Sequence, residues 1–114
     1  MTKIVKDKIS ITELKENATK MFGNLVKAVV DVEKEVMAVF GELHSDEEAA
    51  LISSGSKQES LWGINIYPEL ERDKRIEFDS MINLRPSQGN MTRSVDDPKV
   101  QKKIREIVDN LIKE

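Results

Sequence analysis

The alternation of apolar and polar positions predicts three helices and four or five strands. Ser10, followed three residues later by Glu13, is typical of a helix start, because the two side chains can cap each other's backbone N–H groups. Gly23, which can adopt a left-handed backbone conformation, is predicted to end this helix. Asp97-Pro98 predicts the start of a closing helix, with Asp as the cap and Pro at the first helical position. The apolar stripe of that helix consists of Val100, Ile104, Ile107, Val108, Leu111 and Ile112.

The middle of the chain is rich in valine. Residues 25–43 fit both a helical stripe and the alternation of two strands. Valine side chains are branched at Cβ and suit a pleated sheet, so we expect two antiparallel strands joined by a tight turn. Ser45, with Glu48 three residues later, predicts the N-cap of a second helix that ends at Gly55. Residues 61–67 alternate again and predict a strand.

Residues 76–85 predict the strand on which the functional hypothesis depends. One face of this strand is apolar. The opposite face carries Glu77, Asp79, Met81, Asn83 and Arg85. Asp and Asn are disfavoured in strands, so the polar face indicates either a ligand site or a structural hydrogen-bond network. If Tyr67 faces Glu77 across the preceding hairpin, Asn65 lies opposite Asp79.

With a first strand at residues 3–9, the element order is βαββαββα. Hairpins rather than crossovers predict an α+β fold, in which helices pack on a mainly antiparallel sheet of four to five strands. The 114 residues are expected to form a single domain, residues 1–114.

Composition argues against several classes of protein. The 18 basic and 21 acidic residues give a net charge of −3, which disfavours a nucleic-acid partner. The chain has no cysteine, and therefore no disulfide, thiolate metal site or thiol nucleophile. No apolar run approaches the roughly 18 residues of a membrane span, and the polar N-terminus does not resemble a signal peptide. We expect a soluble cytoplasmic protein with no membrane partner.

His44 is the only histidine. Its neighbourhood of carboxylates allows four interpretations: a metal ligand, a general base, a conformational latch, or a structural residue that donates to a backbone carbonyl. Zinc would require an unusually carboxylate-rich shell without a second histidine. A magnesium or manganese site could use Asp46, Asp79 or Glu77 without histidine. The prediction is nevertheless that the protein holds no metal and no cofactor. If the protein is an enzyme, His44 or Asp79 would transfer a proton while Arg85 and Arg93 hold the charge.

The loop after the polar strand carries two guanidinium groups on a flexible backbone, a combination that can hold a phosphate or carboxylate. The leading hypothesis is a pocket at the ends of the sheet for a small polar or anionic ligand. The predicted ligand-binding residues are Asn65, Asn83, Arg85, Asn90 and Arg93. The alternative is a non-catalytic interaction module or homodimer, in which the polar network only fixes the sheet.

Several motifs together resemble a small prokaryotic family of unknown function. They include Gly-Glu-Leu-His at residues 41–44, Leu-Trp-Gly-Ile-Asn-Ile-Tyr-Pro at 61–68 and Glu-Phe-Asp-Ser-Met-Ile-Asn-Leu-Arg-Pro at 77–86, with shorter matches at 55–58 and 88–90. The chain departs from the family pattern at Phe40 and Met91, where a small and a basic residue are preferred. The resemblance covers nearly the whole length. It implies a shared α+β fold and assigns no catalytic residue.

Overall fold

The computed structural model describes residues 2–114, which form a five-stranded sheet with helices on both faces. In chain order the elements are β1 (Lys3–Val5), β2 (Ile9–Ser10), α1 (Ile11–Lys20), β3 (Val26–Asp31), β4 (Val36–Val39), α2 (His44–Ser53), β5 (Leu61–Ile66), β6 (Ile76–Glu77), α3 (Pro98–Leu111) and β7 (Ile112–Lys113). Short 3-10 turns lie at Gln58–Ser60, Arg72–Lys74, Met81–Asn83 and Pro86–Gln88.

The sheet has the strand order β1-β4-β3-β5-β6 and all its pairs are antiparallel. This confirms the predicted α+β fold with a mainly antiparallel sheet. The predicted first strand is divided, because β2 leaves the sheet and pairs in parallel with β7. Ile112, predicted to lie in the closing helix, is paired with Ile9 in this second sheet.

Each face of the sheet has its own apolar core. The larger core contains the buried residues of α1 and α3 and the β3 side chains of Val26, Ala28 and Val30. The smaller core lies under α2, where Leu51 packs with Val29 of β3. Because strand side chains alternate, Lys27 points to the α2 face.

Two of the predicted helix starts are confirmed by their caps. The Ser10 hydroxyl accepts a hydrogen bond from the Glu13 N–H at 3.0 Å. The Asp97 carboxylate accepts from the Lys99 N–H at 2.9 Å, with Pro98 at the first helical position. Such a cap satisfies a backbone donor that the helix itself cannot pair, and typically contributes about 1 kcal/mol.

The predicted valine-rich hairpin is formed by β3 and β4. Its turn has no glycine or asparagine, and Asp31 supplies the missing turn chemistry. The buried Asp31 carboxylate accepts from the N–H groups of Glu33 and Lys34, both at 2.9 Å, and from the Ser56 hydroxyl at 2.6 Å. Glu35 completes the turn with a φ of 59°. These bonds offset the strain of a left-handed residue other than glycine.

The prediction that Ser45 caps the second helix was wrong. The helix begins one residue earlier, at His44, and its N-cap residue Leu43 makes no side-chain hydrogen bond. Tertiary contacts determine this start. The His44 ring bonds to a carbonyl of β5, and the Glu47 carboxylate turns back to accept from the Gly41 N–H at 3.0 Å.

The predicted long strand at residues 76–85 was also wrong, because only Ile76–Glu77 forms β6. The register differs too: Asn65, rather than Tyr67, is paired with Glu77. The polar and apolar residues beyond Glu77 therefore do not alternate on two faces of a sheet.

Side-chain hydrogen bonds explain why this strand ends early. The Ser80 hydroxyl accepts from the Ile82 N–H and caps a 3-10 turn. The Asn83 side chain then pairs with Gly63 of β5: its oxygen accepts from the Gly63 N–H at 2.8 Å, and its amide nitrogen donates to the Gly63 carbonyl at 2.9 Å. One asparagine side chain thus replaces the backbone pairing that a continued strand would have made.

Candidate functional site

A row of polar side chains crosses the α2 face at one end of the sheet. Lys27 is paired with Asn65, and Asn65 with Glu77, so the three side chains lie side by side. The Asn65 amide nitrogen donates to Glu77 Oε1 at 2.9 Å, and the Tyr67 hydroxyl donates to the same oxygen at 3.0 Å. Asn65 Oδ1 is buried and has no hydrogen-bond partner among residues 2–114.

His44 lies against this row at the first position of α2. Its Nε2 is 2.7 Å from the Ile64 carbonyl oxygen. Burial lowers the pKa of His44 below its ordinary value, and the positive charges of Lys27 and Arg93 act in the same direction. The Ile64 carbonyl and the Asp79 carboxylate oppose them more weakly than burial does. The imidazole is therefore neutral at neutral pH.

Asp79 and Arg93 form an ion pair beside His44, with Arg93 Nε donating to Asp79 Oδ1 at 2.8 Å. About half of each side chain is exposed, so the pair contributes little to stability. Its position is fixed by the backbone, since the Arg93 carbonyl accepts from the Ser80 N–H at 3.0 Å and from the Asn83 amide at 2.9 Å.

Three of these residues, Lys27, His44 and Arg93, border a cleft of about 200 Å³, which we call the His44 cleft. Its lining residues are Lys27, Leu43, His44, Ser45, Ser80, Met81, Ile82 and Arg93. A wider cleft of about 490 Å³, lined by residues that include Met21 and Phe22, shares Lys27 and Leu43 with it.

Positive charge predominates among the side chains that line the His44 cleft. Arg93 uses only Nε in its ion pair, and no hydrogen bond from its terminal guanidinium nitrogens to residues 2–114 is formed. Lys27 has no carboxylate within ion-pair distance in the described chain, and its ammonium lies 4.9 Å from the Phe22 ring centroid. Asp79 is thus the one carboxylate that pairs directly with either cation.

Two of the predicted ligand-binding amides lie inside the fold. Asn83 is fully buried, and Asn90 is only 4% exposed. The Asn90 amide nitrogen donates to the carbonyls of Asn83, Thr92 and Ser94, while its oxygen accepts from the Asp96 N–H at 2.8 Å. Both amides use their donors and acceptors within the chain and hold the loop that carries the cleft arginine.

Arg85 lies outside the His44 cleft. Its two terminal nitrogens donate to the carbonyls of Gln58 and Leu61, each at 2.7 Å, and its guanidinium lies 4.2 Å from the Trp62 ring centroid. Leu61 begins β5, whereas Asn65 is near its end, about 13 Å away at the usual rise of a strand. The structure therefore brings His44, Asn65, Asp79 and Arg93 together and leaves Arg85 apart from them.

A larger cleft on the opposite face, about 490 Å³, is lined by Arg72, Asp73, Ile76, Arg105 and Asp109. Its two arginines face two aspartates, so it has no excess of charge. Among residues 2–114 there is no cluster of three or more acidic, histidine or cysteine side chains spaced to hold a metal ion. Of the helices in that range, none is long and apolar enough to cross a membrane.

The sequence analysis did not predict Lys27 as a residue of the site, and it considered Tyr67 only for its pairing across the hairpin. The signal for Lys27 was present: it is the one charged residue in the apolar run from Val26 to Val30 of a central strand. Burying a charge is costly unless a partner or solvent reaches it. A lysine in such a position therefore indicates an opening in the structure.

The fold and the cleft define a small α+β protein with a cationic, histidine-containing cleft at one end of an antiparallel sheet. Residues 3–111 match the family described as "Protein of unknown function (DUF5674)", and the chain belongs to that family. Comparison with curated proteins gave no significant match, and neither did comparison with solved structures.

Proposed function

We propose that the protein binds a small anionic ligand, such as a phosphate or carboxylate, in the His44 cleft. The observation that carries this proposal is the convergence of Lys27, His44 and Arg93, which come from β3, α2 and the loop before α3. Cationic side chains repel one another, so a chain that gathers two of them beside a neutral imidazole favours an anion between them.

The geometry of Arg93 supports an oxyanion as the ligand. Because Asp79 occupies only Nε, the terminal N–H groups of the guanidinium are available for a forked contact with two oxygens. Lys27 adds a point charge from the sheet without a bonded carboxylate that would have to be displaced.

The start of α2 adds partial positive charge to the same cleft. The Asp46 N–H bonds to the Leu43 carbonyl at 3.1 Å, whereas the N–H groups of His44 and Ser45 have no acceptor among residues 2–114, and no side chain caps the helix. Both His44 and Ser45 line the cleft. Aligned peptide dipoles favour an anion at this end of a helix.

The size of the cleft limits the ligand. At about 30 Å³ for each water in the liquid, the roughly 200 Å³ of the His44 cleft has room for about seven non-hydrogen atoms. Pockets that bind drug-sized ligands typically have volumes of about 300–1,000 Å³. A single phosphate or a short carboxylate fits, and the adjoining cleft around Phe22 would accommodate the apolar part of a larger molecule.

Titration calorimetry with inorganic phosphate and small dicarboxylates tests this proposal. Arg93→Ala is expected to weaken binding about tenfold or more, since it removes a charged hydrogen bond worth about 1.5–3 kcal/mol. Arg72→Ala is the matched control: Arg72 is 54% exposed and paired with one carboxylate, as Arg93 is at 55%. Absence of binding by every anion, or equal losses in both variants, would contradict the proposal.

The alternative function is association with another protein chain, including a second copy. The observation that favours it is the exposed apolar rim of the cleft, where Leu43 is 53% and Met81 is 63% exposed. Light scattering measures the mass in solution. A dimer that dissociates in Met81→Glu, together with no anion binding, would support association instead of a ligand site.

A further inference from the structure

The His44 ring has a defined tautomer. A carbonyl oxygen only accepts hydrogen bonds, so the 2.7 Å contact with Ile64 requires a hydrogen on Nε2. In a neutral imidazole the other nitrogen then carries a lone pair. His44 Nδ1 is therefore an acceptor, held in orientation by the sheet.

This acceptor is available to a ligand in the cleft. No N–H or O–H group of residues 2–114 donates to His44 Nδ1, and His44 is one of the residues that line the cleft. The charged groups around it are Lys27 on β3 and the Asp79–Arg93 pair. Both cations donate hydrogen bonds, whereas Nδ1 accepts one, so the cleft presents two different recognition elements.

We propose that the cleft selects an oxyanion that carries its own proton, such as hydrogen phosphate or a monoprotonated phosphate ester, over a fully deprotonated oxyanion of the same shape. This inference rests on the proposed function and specifies the class of ligand. The charged oxygens contact Lys27 and Arg93, and the ligand's O–H donates to His44 Nδ1. A sulfate in the same place would bring an oxygen lone pair against the nitrogen lone pair.

Hydrogen phosphate and sulfate form the deciding pair of probes. At about pH 8 both are mainly dianions of nearly equal size, and only phosphate has a proton to donate. We expect calorimetry on the untagged protein to show phosphate binding at least about tenfold tighter than sulfate, because a site that pairs a ligand hydroxyl discriminates against an analogue without it.

His44→Phe separates the two parts of the site. The phenyl ring keeps the planar shape of the imidazole, but it has no acceptor at the position of Nδ1 and no donor for the Ile64 carbonyl. The variant is expected to bind sulfate within about twofold of the wild type and to lose the preference for phosphate. Circular dichroism checks that it is folded.

The single histidine also gives a direct spectroscopic readout. Nitrogen-15 NMR of the imidazole should show the Nε2–H tautomer in the free protein. The Nδ1 signal should shift on addition of phosphate and remain in place with sulfate. This measurement needs no variant.

The outcomes are distinguishable. A phosphate preference that is lost in His44→Phe, together with the selective Nδ1 shift, supports the inference. Equal binding of phosphate and sulfate overturns it while leaving anion binding intact. Binding of neither ion overturns both this inference and the proposed function.

Discussion

Glu47 provides the sharpest test of the electrostatics beneath α2. Its side chain is fully buried. One carboxyl oxygen accepts from the Gly41 N–H at 3.0 Å, and the other has no partner among residues 2–114. A Cβ at Gly41 would stand only 2.6 Å from Glu47 Cγ, so the backbone closes directly over the carboxyl group. Burial raises the pKa of Glu47 to about 9, outweighing the bond from Gly41 and the charge of Lys27.

The raised pKa makes stability fall as pH rises. In the unfolded chain the carboxyl ionises near its ordinary value of 4.5, whereas in the folded protein it keeps its proton up to about 9. Between these pH values the unfolded state binds fewer protons, so the free energy of unfolding decreases by about 1.4 kcal/mol for each pH unit. Glu47→Gln, which cannot ionise, should escape this loss. From about pH 6 to pH 8 the variant should gain about 3 kcal/mol relative to the wild type.

Urea unfolding followed by circular dichroism, repeated at several pH values, measures this difference. Glu16→Gln is the control, because Glu16 is exposed on α1 and should leave the pH dependence unchanged. A difference in the free energy of unfolding between Glu47→Gln and the wild type that is the same at every pH is compatible with this prediction, since the amide differs from the acid in its hydrogen-bond donors. Parallel stability curves across the whole pH range would refute the conclusion that Glu47 is neutral in the folded protein.

Three further substitutions test the scaffold around the cleft. Asn83→Ala removes three hydrogen bonds and leaves the Gly63 backbone unpaired. Urea titration should therefore show that the free energy of unfolding falls by about 3–5 kcal/mol. The control is Asn110→Ala at an exposed position on α3, which should change it by less than about 0.5 kcal/mol. Gly63→Ala places a Cβ 2.6 Å from Ser80 Cβ and should cost about 1–3 kcal/mol by the same titration. Arg85→Lys loses the paired hydrogen bonds to two backbone carbonyls and should lower the free energy of unfolding by about 1–2 kcal/mol. Calorimetry should find the anion affinity of this variant unchanged. A large change in affinity would contradict the position of Arg85 outside the cleft.

Elements whose start is encoded locally could be predicted from the sequence. The serine before α1 and the Asp-Pro pair before α3 have capping geometry that depends on residues within three positions, and both helices begin where that chemistry places them. The valine-rich hairpin was predictable for a similar reason, because the side-chain preference for a pleated sheet acts at every position.

Elements that depend on distant partners could not be predicted with the same rules. The pattern of residues 76–85 is that of a strand, but two of its side chains bond to backbone groups and end the strand after Glu77. The start of α2 shifted from Ser45 to His44 because the imidazole bonds to β5, twenty positions along the chain. No local pattern contains these contacts, so local propensity was overridden by tertiary structure.

The candidate site shows the same division between local and distant information. Four of the seven predicted site residues, His44, Asn65, Asp79 and Arg93, lie together. Their proximity depends on the register of β5 and β6 and on the loop before α3. The register fixes Lys27 as their neighbour, which a search confined to the polar face of one predicted strand did not reach.

The predicted polar residues divide into buried and exposed ones, because burial costs less for an amide than for a charged group. An asparagine side chain both donates and accepts, so Asn83 and Asn90 can be buried with every group paired, and paired amides cost little inside a protein. A guanidinium only donates and carries a charge whose burial is expensive. Arg93 therefore remains at the surface, while the neutral amides beneath it fix its backbone. The polar residues of this segment thus act in two layers, with a buried amide layer that sets the position of an exposed ionic one.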